Sequence, residues 1–284
     1  MTISQSDDKI TKRVLTNWSS ECYADYVVNI FLEGIPLDKY AKSVSVKGLR
    51  VSYGKVTALQ GIDLELEPGQ PTAILGPNGA GKTTLINVLT TMLRRFEGQA
   101  LVAGVDVQKD PIKVRSLIGL MPQDNNLYEP LSGMDNLLLQ GSLHNMNKKA
   151  SKEAAIDMLK KMGLLEVADR PASTYSGGMK RRLVYARAML HYPQMVFLDE
   201  PTTGLDVQSR YALWEDIESF SAQNRSIVLT THYIEEAERF CKRIIVIDKG
   251  QVIADGSPES LKTSGEKTLE EVILNLTGKE HAKR

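Results

Sequence analysis

One octapeptide constrains this chain more than any other feature. Gly76-Pro77-Asn78-Gly79-Ala80-Gly81-Lys82-Thr83 follows the apolar run Thr72-Ala73-Ile74-Leu75 and precedes a stretch of helical character. It matches G-x-x-x-x-G-K-[ST] in a strand–loop–helix setting. Glycines allow positive φ and close backbone approach, so successive N–H groups curl around phosphate oxygens. The following helix adds the partial positive charge of its N-terminus. In such a loop Lys82 reaches the β- and γ-phosphates and the Thr83 hydroxyl ligates Mg²⁺. The rival reading is a glycine turn beside a surface lysine, and eight matched positions in the right setting weigh against it. By itself the loop implies a nucleoside triphosphate and nothing narrower.

The surrounding pattern is α/β. Val44, Val46 and Leu49-Val51 alternate loosely, Ile62, Leu64 and Leu66 alternate strictly, and Pro68-Gly69 marks a turn. Met195 to Leu198 and Ile227 to Leu229 are further apolar strand runs, and Ile244 to Ile247, Lys249-Gly250 and Val252-Ile253 read as a hairpin. Over residues 151–165, Ala155, Met158, Leu159 and Met162 share a helical face, with Ser151 and Glu153 at its start. Strands separated by helices predict a mostly parallel sheet. The run Met195-Val196-Phe197-Leu198-Asp199-Glu200 puts two acids at a strand's carboxyl end, where ligands bind in such sheets. Beside a phosphate loop, Asp199 reads as a Mg²⁺ ligand and Glu200 as a general base. Alone, Asp199 reads equally as a helix N-cap. Lys82 and Asp199 lie 117 residues apart, which predicts an extra subdomain, with residues 125–190 as the candidate helical insert.

Composition narrows the class. Thirty-five Lys+Arg balance 35 Asp+Glu, against the basic excess of an electrostatic nucleic-acid binder, so no nucleic-acid partner is expected. Two cysteines, Cys22 and Cys241, build neither a disulfide framework nor a four-thiolate zinc site, which suits a reducing compartment. No apolar run approaches the roughly 20 residues of a spanning helix, and no signal peptide is evident. A soluble intracellular chain is the expectation. Residues 1–42 differ from the rest: they hold Trp18, Tyr23, Tyr26, Phe31 and Tyr40, and the spacing of Tyr23, Tyr26, Val27 and Ile30 suggests an amphipathic helix. A helix docked on the protein's own surface is the plainer reading, a partner or membrane contact the other.

Tyr175-Ser176-Gly177-Gly178-Met179-Lys180-Arg181-Arg182-Leu183 resembles the L-S-G-G-Q signature of ABC transporter ATPases. Further pieces stand in that family's order. Tyr53 matches the aromatic that stacks on adenine, Gln123 in Met121-Pro122-Gln123 the Q-loop, Gly204-Leu205-Asp206 the D-loop, and His232 in Leu229-Thr230-Thr231-His232 the switch histidine. Taken singly, each has a plain rival. Tyr53 is an ordinary strand aromatic, Gln123 a loop residue, His232 a solvated histidine and Asp206 a turn or cap residue. Two departures stand out, Tyr175 for Leu and Met179 for Gln. The Y-S-G-G-M version, and the stretch from Thr268 to Gly278, resemble the drug- and antibiotic-export subgroup.

The resemblance implies a P-loop NTPase fold of the ABC type: a mostly parallel core sheet, an antiparallel β subdomain and an inserted helical subdomain. It implies an ATPase domain over residues 43–256, flanked by the extension 1–42 and a helical tail 257–284. ATP and Mg²⁺ are the implied cofactors. Gly76, Pro77, Asn78, Gly79, Ala80, Gly81, Lys82, Thr83, Thr84, Tyr53 and Gln123 would bind nucleotide on one chain. Ser176, Gly177, Gly178 and Asp206 would meet it from a second copy or a similar subunit. Thr83, Gln123 and Asp199 would hold the metal, and Glu200, His232 and Lys82 would carry catalysis. The implied function is an ATP-hydrolysing subunit that dimerises around two ATP. It would drive export through a membrane-spanning permease on a separate chain, from the cytoplasmic side of the membrane. The alternative is a single-domain non-transport ATPase of the same superfamily with soluble partners.

Overall fold

The structure is a computed structural model and describes residues 42–223, 225–262 and 268–277. The aromatic cluster and helix expected within residues 1–42 lie outside the described residues. In chain order the strands are β1 (Val44–Tyr53), β2 (Val56–Leu66), β3 (Thr72–Leu75), β4 (Glu97–Val102), β5 (Val105–Asp106), β6 (Ile118–Met121), β7 (Met195–Asp199), β8 (Ser226–Thr230), β9 (Arg243–Asp248) and β10 (Gln251–Gly256). The helices are α1 (Lys82–Leu89), α2 (Pro111–Leu117), α3 (Gly133–Leu143), α4 (Lys148–Lys161), α5 (Gly177–Met189), α6 (Val207–Ala222), α7 (Ile234–Phe240), α8 (Pro258–Leu261) and α9 (Leu269–Leu276).

Two sheets account for the strand pattern. The first is antiparallel, in the order β2-β1-β4-β5. Its loose alternation in β1 has a cause: Val44 and Val46 are buried, then Leu49 and Val51, and the register slips between Val46 and Leu49. One extra residue in the strand moves the inward face from even to odd positions. The second sheet runs β10-β9-β3-β8-β7-β6; all its pairs are parallel except the β9–β10 hairpin at one edge. Every residue of β3, β7 and β8 is buried. That explains why these strands read as unbroken apolar runs: helices cover both faces of a parallel sheet. The fold class is α/β with a mostly parallel core sheet and a separate antiparallel sheet, as expected.

Between β6 and β7 the chain is helical. α3, α4 and α5 pack on one another, and α5 also packs on β6. α5 thus belongs to the helical layer and lies against the sheet. Ala155, Met158, Leu159 and Met162 are all buried. The helix they define runs Lys148–Lys161, starting before the expected 151, because Asn147 supplies the cap. Asn147 Oδ1 accepts from the N–H groups of Lys149 at 2.8 Å and Ala150 at 3.1 Å. Ser151 is an interior residue instead. It is buried against α3 at Gly141, where a Cβ would come within 2.0 Å of the Ser151 Oγ. That hydroxyl has no hydrogen-bond partner.

The two residues therefore predict opposite outcomes in urea denaturation. Asn147→Ala should cost about 1 kcal/mol through the lost cap. Ser151→Ala removes an unsatisfied buried hydroxyl and should change stability by less than about 0.5 kcal/mol or raise it.

Candidate nucleotide site

The octapeptide loop leaves β3 and enters α1 through two positions that admit no side chain. A Cβ on Gly76, at φ +150°, would stand 2.0 Å from the carbonyl oxygen of Ile247 in β9. One on Gly81, at φ +110°, would stand 2.7 Å from both the Ala58 oxygen and the Leu59 Cδ2 in β2. Both sheets thus press on the loop. No side chain caps α1 at Gly81, so its first-turn N–H groups are left for an anion. The Lys82 ammonium folds back on the loop, donating to the carbonyls of Gly76 at 2.8 Å and Pro77 at 3.2 Å. Burial pulls its pKa below the usual lysine range, opposed by the charges of Glu200 and Asp199.

A cleft of about 460 Å³ opens over this loop, lined by Asn78 through Thr84, Ala58, Gln123, Glu200 and His232. Glu200 follows the last residue of β7 and takes φ +48°, in the left-handed region that a non-glycine residue rarely enters. Its N–H bonds both the carbonyl and the hydroxyl of Thr230, at 3.0 and 3.1 Å. This turn sends the carboxylate into the cleft. There it accepts from the Thr203 hydroxyl at 3.2 Å and the Gln123 amide at 3.4 Å, and His232 Nδ1 lies 3.6 Å from its Oε2. Three predicted residues from separate loops, Gln123, Glu200 and His232, therefore meet at one carboxylate. Asp199 is buried, and its Oδ1 accepts from the Thr230 hydroxyl on the neighbouring strand.

Asp199 does not line that cleft. It lines a second one of about 410 Å³ that also includes Thr83 and Gln123. The three residues expected to hold Mg²⁺ thus share one space, one offering a hydroxyl, one an amide oxygen and one a carboxylate. Such a hard oxygen set with a single carboxylate fits a magnesium ion that takes its other ligands from phosphates and water. Among the described residues no cluster of three His, Cys, Asp or Glu side chains is placed to hold a metal.

Other expected site residues stand apart. Tyr53 ends β1, half-exposed and opposite Val56, outside the cleft lining. Ser176 caps α5, its Oγ accepting from the Met179 N–H at 3.2 Å. Asp206 caps α6, accepting from the Ser209 N–H at 2.9 Å and hydroxyl at 2.7 Å, bonds that lower its pKa. A Cβ on Gly178 would touch Asp206 at 3.7 Å, so the signature turn and the Asp206 cap adjoin each other, away from the cleft.

Two residues with no sequence signal of their own shape the site. Arg181 is buried in α5, and its guanidinium bonds five backbone carbonyls, described below. Glu236, in the charged run of α7, reads from sequence as a solvated acid, yet it is 2% exposed. It accepts from the Thr202 hydroxyl and, at 2.6 Å, from the Thr231 hydroxyl. It thereby ties the turn after Glu200 to the loop that carries His232.

The family pattern described as ABC transporter matches residues 59–203. The chain belongs to the ABC transporter family. It is an ATP-binding and ATP-hydrolysing subunit of that family. It is 42% identical over 226 residues to the daunorubicin resistance ATP-binding protein DrrA2 of Streptomyces coeruleorubidus, covering 80% of this chain and 70% of that protein. Among solved structures it resembles the ATP-binding subunit of an ABC transporter, with a TM-score of 0.76 and 26% identity over 82% of this chain and 99% of the other. It also resembles the ATP-binding cassette MJ0796, solved as a dimer in a post-hydrolysis state with ADP and Pi. There the TM-score is 0.70 and the identity 25%, over 75% of this chain and 98% of the other. Among the described residues of this ABC ATPase no helix is long and apolar enough to cross a membrane.

The second cleft of this ABC ATPase also holds two stacked histidines, His144 and His191, with centroids 3.7 Å apart. His191 Nε2 donates to the Ile118 carbonyl at 3.0 Å, and the Gln140 amide donates to His144 Nε2 at 2.9 Å. Both bonds fit neutral rings. Burial, with His144 adding to it, pushes the His191 pKa down to about 3, and burial lowers that of His144. The unfolded chain therefore binds protons first as the pH falls. Stability is whole above about 6.5, the unfolded value, and is lost toward 3. The unfolding free energy from urea titrations should drop below pH 6.5 at about 1.4 kcal/mol per pH unit for one such group. His191→Gln, which keeps a donor for Ile118, should flatten that slope.

Proposed function

We propose that the chain supplies half of each of two composite ATP sites in a dimer, and powers export through a separate membrane-spanning permease from the cytoplasmic face. One observation carries this reading. Lys82, Thr83, Gln123, Glu200 and His232 converge on one cleft, while Ser176-Gly177-Gly178 and Asp206 adjoin each other outside it. A chain that holds both halves of a phosphate site but keeps them apart needs a second copy or a similar subunit to complete either. The ATPase domain is residues 43–256, with its helical insert at 125–190 and a tail from residue 257 onward.

Each residue then has a task. The N–H groups of the loop from Gly76 to Thr84 and the Lys82 ammonium bind phosphate oxygens, and Tyr53 stacks on the base. Thr83, Gln123 and Asp199 offer oxygens to Mg²⁺, which when bound neutralises phosphate charge. Gln123 donates through Nε2 to Glu200, so Oε1 is the atom it presents to a cation. Glu200, oriented by Thr203 and Gln123, takes a proton from the attacking water. His232 lies beside that carboxylate and holds the developing charge in register. Ser176 and the start of α5 present N–H groups to the phosphate held by the other subunit.

The export direction rests on the likeness to the daunorubicin resistance protein. Recognition of the cargo is assigned to the membrane partner.

Glu200→Gln should bind MgATP at near wild-type affinity by calorimetry, lose at least about 100-fold in kcat and run as a dimer in ATP by size exclusion. Lys82→Ala should lose ATP binding. A monomeric Glu200→Gln protein in saturating ATP would overturn the composite-site reading.

Affinity capture from detergent-solubilised membranes should recover a polytopic protein in stoichiometric amount. Recovery of soluble partners alone would favour a non-transport ATPase.

A further inference from the structure

Arg181 has no role in the scheme above. It lies in α5, five residues after the Ser176 cap, and is 3% exposed. A guanidinium carries five N–H donors in a rigid planar fork. Here Nε donates to the Pro201 carbonyl at 3.0 Å, Nη1 to those of Pro122 at 2.6 Å and Gln123 at 2.8 Å, and Nη2 to those of Asp199 at 2.8 Å and Glu200 at 2.6 Å. All five donors are used, and all five acceptors are main-chain oxygens of the two segments that carry Gln123 and Glu200.

Charge alone does not account for this arrangement. The charges of Asp199, Glu200 and Asp124 offset part of its burial, yet Arg181 hydrogen-bonds none of these carboxylates. It takes carbonyls on both sides of the peptide that carries Glu200 at φ +48°, and so braces a left-handed turn. The same fork fixes Pro122 and Gln123 relative to that turn. The Gln123 amide and the Glu200 carboxylate meet at 3.4 Å across this brace, although 77 residues separate them.

We propose that Arg181 is a positioning residue for ATP hydrolysis. It sets the separation of Gln123 and Glu200 by clamping their backbones and acts on the proton-transfer step with little effect on nucleotide affinity. The proposal rests on the assignment of Glu200 and Gln123 given above. Lysine keeps the charge but has three donors on a point, which cannot span five carbonyls.

Three variants, Arg181→Lys, Arg181→Gln and Arg181→Gly, test it in the full-length protein. Each should keep the wild-type circular dichroism spectrum and MgATP affinity within about threefold by calorimetry, and lose at least about 30-fold in kcat with KM little changed. Guanidinium ion at millimolar concentration should recover part of the Arg181→Gly kcat and leave its KM unmoved. A folded Lys or Gln variant with kcat within twofold of wild type would overturn the proposal. So would a parallel loss of affinity and kcat, or failure of all three to fold, each of which would make Arg181 a structural residue only. Glu200→Gln in an otherwise wild-type chain separates the two readings. If it hydrolyses ATP normally, the role of Glu200 fails, whatever the Arg181 variants do.

Discussion

The buried guanidinium of Arg181 is the constraint on which the site's geometry turns. A cation buried in a protein interior is expensive, and leaving its hydrogen bonds incomplete adds to that cost. Five carbonyls satisfy it, and those carbonyls belong to the end of β7 and the loop after β6. The consequence runs in both directions. α5 is fastened to the ends of two parallel strands, and those strand ends are fixed relative to one another.

A second buried side chain adds to the frame. Glu236 accepts from Thr202 and Thr231, so the turn after Glu200 is held from α7 as well as from α5. The Thr230 hydroxyl donates to Asp199 and accepts from the Glu200 N–H, so one side chain of β8 braces the last residue of β7 and the acid that follows it. Positions where a carboxylate must be aimed are over-determined by backbone bonds. Arg181, Glu236 and Thr230, which brace that backbone, do not line the cleft over the phosphate loop. This division lets the left-handed turn at Glu200 persist despite its cost.

How much of this was legible in the sequence depends on whether a signal is local. The loop from Gly76 to Thr83, the unbroken strands β3, β7 and β8, and the β9–β10 hairpin were readable because spacing and period carry them. Arg181 was not, since one of three consecutive basic residues on a helix reads as solvated, and its five partners are 18 to 59 residues away. Glu236 was hidden in an acidic run for the same reason. The start of α4 was misread at Ser151 because a serine before an apolar stripe resembles a cap. Asn147 fills that role four residues earlier, while packing at Gly141 keeps Ser151 inside. The slip of register in β1 was visible only as irregular alternation.

The signature's two departures have unlike physical weights. Tyr175 is buried, and its hydroxyl donates to the Val167 carbonyl at 2.7 Å. A Cβ on Gly133 would stand 2.4 Å from that hydroxyl, so a tyrosine here requires a glycine at the start of α3, and the two positions form one unit of packing. The ring ties the residue before the Ser176 cap to the helical layer, a tether that a leucine's shorter, apolar side chain would lack. Met179 reaches the cap by its backbone N–H, not its side chain, while its thioether packs on the core. The cap at Ser176 is therefore indifferent to the lost amide. The feature of the turn that would bind phosphate, a capped helix start with two glycines and exposed N–H groups, depends on its backbone and on the Tyr175–Gly133 pair behind it.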